Sequence, residues 1–477
     1  MAQASFYWHD YETWGANPRV DRPAQFAGIR TDKNLEIIGE PLMIYAKPTA
    51  DFLPHPEAVL ITGITPQQAS AEGVSEADFF RQIHHEFRQE KSCIVGYNNL
   101  RFDDEVTRFG FYRNFIDSYA YSWQNGNSRW DILDLMRITH ALRPEGINWP
   151  QHETGGASFK LTDLTDANNI AQVGAHDALV DVKATIALAR LVKEKQPKLF
   201  DFYFELRNKR RVAELINPLK PEILLHVSGM FPVHQGCLAP VFPLLPHPTN
   251  ANEIICYNLR FNPQVLLQLS ADEIQHKLYT RTVDLAEGEQ RLPLKGVHLN
   301  KSPAIAPVST LNQVQAQKWQ IDWDEIHAHR DLLLSDPGLI ARLTTVYSSA
   351  RDYGEVDADS ALYDGFIGQQ DRLRCNQLLA ASPDQLAGWS PESFQDKRLQ
   401  TLLFRYRARN FPQSLTPEEA LRWQRFSQNR LMDGDAAGAL SVEQFQQHLL
   451  TLTQREQDNR EQKLLDQLSL WAQQLFH

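Results

Sequence analysis

Cysteine is scarce in this chain of 477 residues: only Cys93, Cys237, Cys256 and Cys375 occur. None forms a C-x-x-C pair and no His/Cys grouping has zinc-module spacing, which argues against a disulfide scaffold or a finger-type zinc domain. Scattered single cysteines are the usage of a reducing compartment, so the expected location is the cytoplasm. No run of about 18 apolar residues is present, so no membrane-spanning helix is expected. The stretch Met1-Ala2-Gln3-Ala4-Ser5-Phe6 has neither the basic start nor the apolar core of a signal peptide, and it runs straight into an expected first strand. Internal repeats and low-complexity linkers are missing too. Positive charge is in deficit, with a formal net charge of −11. That disfavours a broadly basic nucleic-acid-coating surface, but it leaves room for a locally basic groove.

What is present is ordinary globular material, 42% hydrophobic and 22% charged, in a chain long enough for two or three domains. Up to about residue 197, strand-like and helix-like segments alternate. Phe6-Tyr7-Trp8, Leu42-Met43-Ile44-Tyr45 and Cys93-Ile94-Val95-Gly96 read as strands. Glu76 to about Glu90 reads as a helix, and another begins near His176. The alternation predicts an α/β domain with a mixed sheet. From Pro221 the texture changes to short β-rich runs at 222–227, 253–257 and 294–299, divided by Pro- and Asn-rich turns: a mostly β middle region, or an α/β one with a small barrel. After about Trp323 amphipathic helical segments run to the end, among them Gln444 to Leu452 and Gln462 to Phe476. The expected domains are 1–197, 198–347 and 348–477.

Three segments carry candidate chemistry. In His9-Asp10-Tyr11-Glu12-Thr13, a strand places Asp10 and Glu12 on one face, and adjacent buried carboxylates need a cation between them. The same pattern is also common as surface decoration. In Gly96-Tyr97-Asn98-Asn99-Leu100-Arg101-Phe102-Asp103-Asp104-Glu105, an apolar strand turns into a helix that starts on acids. Asp103 reads either as a functional carboxylate or as a helix cap, and Asp104 and Glu105 as solvated neighbours. In Gly174-Ala175-His176-Asp177-Ala178-Leu179-Val180-Asp181, Asp177 reads as the cap of a helix in which Asp181 stands among Ala, Leu and Val. His176 sits at or just before the helix start.

Taken together and in this order, the three segments resemble the DEDDh family of 3′→5′ exonucleases: Asp-x-Glu on the first strand, Asn-x-x-Phe-Asp at a helix start, then His-x4-Asp. The resemblance implies that Asp10, Glu12, Asp103 and Asp181 are catalytic carboxylates ligating two Mg²⁺ ions, with Mn²⁺ as a substitute. It also implies that His176 is the general base, an imidazole being able to titrate near neutrality. The implied products are nucleoside 5′-monophosphates.

Further segments resemble the bacterial exonuclease I branch of that family, specific for single-stranded DNA and serving repair and recombination. They are Phe6 to Gly15, Asp21 to Phe26, Leu60 to Pro66, Arg143 to Pro150, His226 to Met230, Leu362 to Phe366 and Tyr406 to Pro412. Where many relatives have His-Gly-Ile-Thr, this chain has Thr62-Gly63-Ile64-Thr65, which suits that branch. The implied architecture is a ribonuclease-H-like mixed-sheet nuclease domain, a middle domain with an SH3-like β-barrel and an all-helical C-terminal domain. These would form a C-shape around one strand, acting processively and as a monomer. Glu12, Thr13, Arg108, Tyr119, Trp123, Arg137 and Lys160 would contact the strand. Arg143 would help to receive the acidic C-terminal tail of single-stranded DNA-binding protein.

The residues themselves offer a groove between Arg108 and Arg137, where Phe109, Phe111, Tyr112, Phe115, Tyr119, Tyr121, Trp123 and Trp130 alternate with arginines. The phenylalanines there read more readily as core. Arg405, Arg407 and Arg409 either line a strand path or pair with acids, and Asn208 to Arg211 reads as a solvated helix face. Competing readings are an RNA-trimming exonuclease, distinguished by comparing RNA and DNA oligomers, a non-catalytic strand binder and a glycosidase.

Overall fold

The computed structural model describes residues 4–152, 155–170, 177–349, 354, 356–434 and 438–476. His176 lies outside the described residues. The chain folds as two compact units, one formed by residues 1–128, 172–186 and 353–477, the other by 129–171 and 187–352.

The expected first strand is β1 (Ser5–Thr13). It is followed by β2 (Pro23–Thr31), β3 (Leu42–Tyr45), β4 (Ser92–Gly96) and β5 (Ser128–Asp131), in the sheet order β3-β2-β1-β4-β5. β1 runs antiparallel to β2 and parallel to β4, so the sheet is mixed. The two-residue period of β1 sorts its side chains. Tyr7 and Tyr11 enter a core with Phe26, Phe79, Phe80, Phe87, Val106 and Phe111, while Asp10 and Glu12 face the other way. The helix Glu76–Phe87, started by Ser75 accepting from Asp78 N, supplies much of that core.

The same unit takes in the helices Lys397–Asn410, Pro417–Asp433, Val442–Thr453 and Asn459–Phe476. Leu431, Phe445, Leu464, Leu468 and Trp471 from three of them pack with Trp14, Phe52 and Val59. Arg405, Arg407 and Arg409 are the pairing kind, not a free basic stripe. Arg409 reaches Asp51 at 2.7 Å and Asp359 at 2.6 Å, Arg405 reaches Asp357 at 2.6 Å, and Arg407 reaches Glu419 at 2.9 Å.

In the second unit, β6 (Leu224–Val227), β7 (Leu238–Pro246), β8 (Glu253–Asn258), β9 (Leu294–His298) and β10 (Ala304–Pro307) form a five-stranded antiparallel sheet in the order β10-β6-β7-β8-β9. The helix Lys209–Leu215 exposes Lys209, Arg210 and Arg211 to solvent, as read from the sequence.

Candidate nuclease centre

Three elements bring four acids together. β1 contributes Asp10 and Glu12. β4 ends at Gly96, where a Cβ would sit 2.7 Å from the Asn99 side chain and 2.9 Å from the His9 carbonyl. The turn that follows uses Asn98 at φ 64°, and the helix Asp103–Arg113 begins at its end. Asp103 is buried and does not cap its own helix; its Oδ1 accepts from Tyr11 N at 3.2 Å, across on β1. That contact takes Asp103 away from the cap of its own helix. Asp104 corrects the sequence reading as well. It has 0% exposure rather than a solvated carboxylate, because the first turn of this helix is tucked against the sheet near His9.

The third element is the helix Ala178–Lys195. Asp177 caps it, its Oδ1 accepting from Leu179 N at 3.0 Å. Gln25, opposite Glu12 in the β1–β2 register, accepts from Ala178 N at 3.2 Å through Oε1 and donates to the Tyr45 hydroxyl at 3.0 Å through Nε2. One buried amide thus hooks the first turn of this helix to the sheet. Asp181, one turn on, arrives beside Asp10 and Glu12: one carboxylate oxygen from each of the three lies within 4.8 Å of the others. Sequence reasoning gave Gln25 no role of its own: it lay within the family-like segment Asp21 to Phe26, but on a strand that was itself missed.

The electrostatics follow from this crowding. Burial, then Asp103, Glu12 and Asp181, hold the Asp10 carboxyl well above the usual carboxylate range. Glu12 is pushed up to about 8 by burial and by Asp181, Asp103 and Asp177. Acids this close need either protons or a cation to neutralise them. An all-oxygen donor set of this kind fits a hard divalent ion.

The proposed strand contacts sort differently. Thr13 is buried, its hydroxyl donating to Gly15 O at 2.7 Å. Phe109, Phe111, Tyr112, Phe115, Tyr121 and Trp130 are core. Arg108 is buried, bound to Glu105 at 2.9 Å with its guanidinium 5.4 Å from the Tyr119 ring centroid. Trp123 is 65% exposed between two short 3₁₀ turns.

In the second unit, Arg137 pairs with Asp134 at 2.8 Å and lies against Gly229, where a Cβ would meet its Nη2 at 2.7 Å. Lys160 is exposed just ahead of the helix Leu161–Ala167. Arg143 donates to the carbonyls of Leu142 at 2.5 Å and Thr310 at 2.9 Å.

Comparison with known proteins places this arrangement. A family model described as exonuclease matches residues 7–189. The exonuclease I SH3-like domain matches 207–349, and the exonuclease I C-terminal domain matches 356–475. The exodeoxyribonuclease I of Haemophilus influenzae is 44% identical over 467 residues, 97% of each chain. The chain belongs to the exodeoxyribonuclease I family. The Escherichia coli exodeoxyribonuclease I is 47% identical over 422 residues, 88% of each chain. Among solved structures, E. coli exonuclease I in complex with a dA16 oligonucleotide superposes with a TM-score of 0.94 at 44% identity, covering 99% of this chain and 100% of that one. A moderately thermophilic exonuclease I from Methylocaldum szegediense gives 0.94 at 45% identity with the same coverage. The fold class read from the sequence therefore holds: a mixed-sheet nuclease domain, an SH3-like domain and a helical C-terminal region, as in other exodeoxyribonuclease I family members.

Proposed function

We propose that the chain degrades single-stranded DNA processively from its 3′ end, releasing nucleoside 5′-monophosphates, and serves DNA repair and recombination. The observation that carries this reading is the convergence of Asp10, Glu12 and Asp181, with Asp103 electrostatically coupled to the first two. Further support is that E. coli exonuclease I is described in complex with single-stranded oligonucleotides, and also in zinc-bound and metal-free forms. The functional division is taken as 1–197 for cleavage, 198–347 for the SH3-like domain and 348–477 for the helical domain.

Asp10, Glu12, Asp103 and Asp181 would hold two Mg²⁺ ions, which when bound supply a water of lowered pKa and neutralise charge at the phosphate. His176 is assigned the removal of the water's proton. Gln25 and Asp177 set the helix that presents Asp181. Trp123 offers a face on which a base can stack. Glu12 and Thr13 at the end of β1, and Arg108, Tyr119, Arg137 and Lys160, are assigned to the strand, and Arg143 to the acidic tail of single-stranded DNA-binding protein. The molecule is taken to act as a monomer in the cytoplasm.

The test is incubation of 5′-labelled single- and double-stranded DNA with and without Mg²⁺. Shortening confined to the single strand and to the metal-containing reactions is expected. Label released at once as a mononucleotide would reverse the polarity, and equal loss of both substrates would remove the strand specificity.

A further inference from the structure

Among the described residues, a second group of metal-ligating side chains converges in the first unit. His55, Glu57 and His448 present ligand atoms within 4.8 Å of one another. His55 Nδ1 lies 2.8 Å from Glu57 Oε2, and His448 Nδ1 lies 3.6 Å from the same oxygen. The two imidazole centroids are 4.4 Å apart.

Both sides of the cluster are anchored. His55 N donates to Trp14 O at 2.7 Å, and His55 directly precedes the helix Pro56–Thr62. Val59 of that helix, and Phe445 one turn before His448 in Val442–Thr453, are buried in the same apolar cluster. The ligating side chains keep 30%, 39% and 38% exposure, enough for an ion and a water to enter. A surface His–Glu ion pair accounts for one imidazole at this carboxylate. It does not account for two imidazoles turning the same nitrogen towards one oxygen.

We propose that His55, Glu57 and His448 form a zinc-class metal site, separate from the nuclease acids, that clips the C-terminal helix Val442–Thr453 to the N-terminal segment. Two imidazole nitrogens and a carboxylate, with water as the fourth ligand, are a donor set that Zn²⁺ accepts. With Zn–N bonds of about 2.0–2.1 Å, neighbouring ligands in a tetrahedral shell lie about 3.4 Å apart. The observed 2.8 Å and 3.6 Å separations bracket that value, so small rotations of half-exposed side chains complete the shell. Mg²⁺ prefers oxygen ligands, so it favours the all-carboxylate cluster over this imidazole-rich one. Because the ligands come from distant parts of the sequence, the ion binds only the folded clip and stabilises it by linkage.

The experiment uses metal-free full-length protein titrated with Zn²⁺ and, in parallel, with Co²⁺ as a visible reporter. His448→Ala should lose one equivalent of zinc, the imidazole-bound Co²⁺ absorption band and the share of the zinc-dependent rise in melting temperature that Asp10→Asn retains, while keeping Mg²⁺-dependent nuclease activity. Asp10→Asn, which alters the acid cluster, should keep that equivalent and band. Glu57→Gln, which keeps side-chain volume, should repeat the loss even if His448→Ala disturbs packing. Wild-type zinc stoichiometry and an unchanged Co²⁺ band in His448→Ala and Glu57→Gln would overturn the proposal.

Discussion

Asp10 and Glu12 are held neutral-leaning by their surroundings, and this sets the energetics of the site at the scale of single residues. A carboxyl whose folded pKa is raised costs nothing below its unfolded pKa, where both states are protonated. It destabilises the fold as pH rises towards the folded value, about 8 for Glu12. Asp10→Asn should therefore raise the melting temperature of the metal-free protein at pH 8 while abolishing hydrolysis. Added Mg²⁺ should stabilise the wild type more than the variant, measured by calorimetry with and without the ion. Trp123 lies at the other extreme, an indole left in water. Trp123→Ala should weaken single-strand binding by about 1–3 kcal/mol in fluorescence anisotropy, with metal-dependent cleavage retained at saturating DNA. His140 shows burial acting on an imidazole: ringed by Trp149, Phe159 and Trp319, it is pushed down to about 4, by burial first and Lys318 second. Its contribution is present above pH 6.5 and lost as pH falls towards 4, about 3 kcal/mol in all. The drop in denaturant midpoint between pH 7 and pH 4.5 should therefore shrink when His140 is replaced by Leu, the remainder coming from groups such as His9 and His84, which burial also pushes down to about 4.

At the scale of elements, the site depends on how the helix Ala178–Lys195 meets the sheet. Gln25→Leu removes the amide that ties Ala178 N to β2 and to Tyr45. Loss of such an outer-shell partner typically costs about 10–100-fold in activity. The expected result is a fall in turnover with single-strand affinity unchanged, read by steady-state kinetics and anisotropy on the same preparation. β2, which carries Gln25, escaped sequence reading because nearly all of its residues are buried on both faces, so it shows no alternation. β7 escaped for another reason. Pro240, Pro243 and Pro246 make it look like a turn, yet it sits between β6 and β8, with a register shift between Pro243 and Leu245 that accommodates residues lacking an N–H.

Across the first unit as a whole, long-range ion pairing ties N- and C-terminal parts of the chain together. Asp359 is buried and receives Arg409 and Arg430 at 2.6 Å each, Arg405 at 2.9 Å and Arg22 at 3.7 Å, and Arg22 also holds Glu76 at 3.1 Å. Burial alone would raise the Asp51, Asp359 and Glu76 carboxyls. The arginines outweigh it and hold all three below the usual range. Their contribution is full above the unfolded pKa near 4 and is lost as pH drops further through the folded values. Asp359→Ala leaves several guanidinium groups buried without their partner, and breaking such a network costs about 3–5 kcal/mol. Chemical denaturation should show that loss in the first unit. Unchanged stability would mean that water already shares these charges.

The sequence by itself determined the periodic parts of this protein. The first strand with its paired acids, the helix from Glu76, the capped helix after Asp177 and the terminal amphipathic helices all carry local patterns that burial of one face imposes. It also determined the family, because Asp10, Glu12, Asp103, His176 and Asp181 stand on recognisable short motifs. Tertiary structure alone decided which of two roles a given side chain takes. Asp103 reaches across to Tyr11 instead of capping its helix, Asp104 is enclosed, Arg405, Arg407 and Arg409 are spent on acids, and Trp123 is left in solvent while Tyr121 and Trp130 are buried. The physical reason is that local pattern encodes which face of an element turns inward. The partner waiting there comes from residues far away in the chain, and its charge and solvation decide what each side chain does.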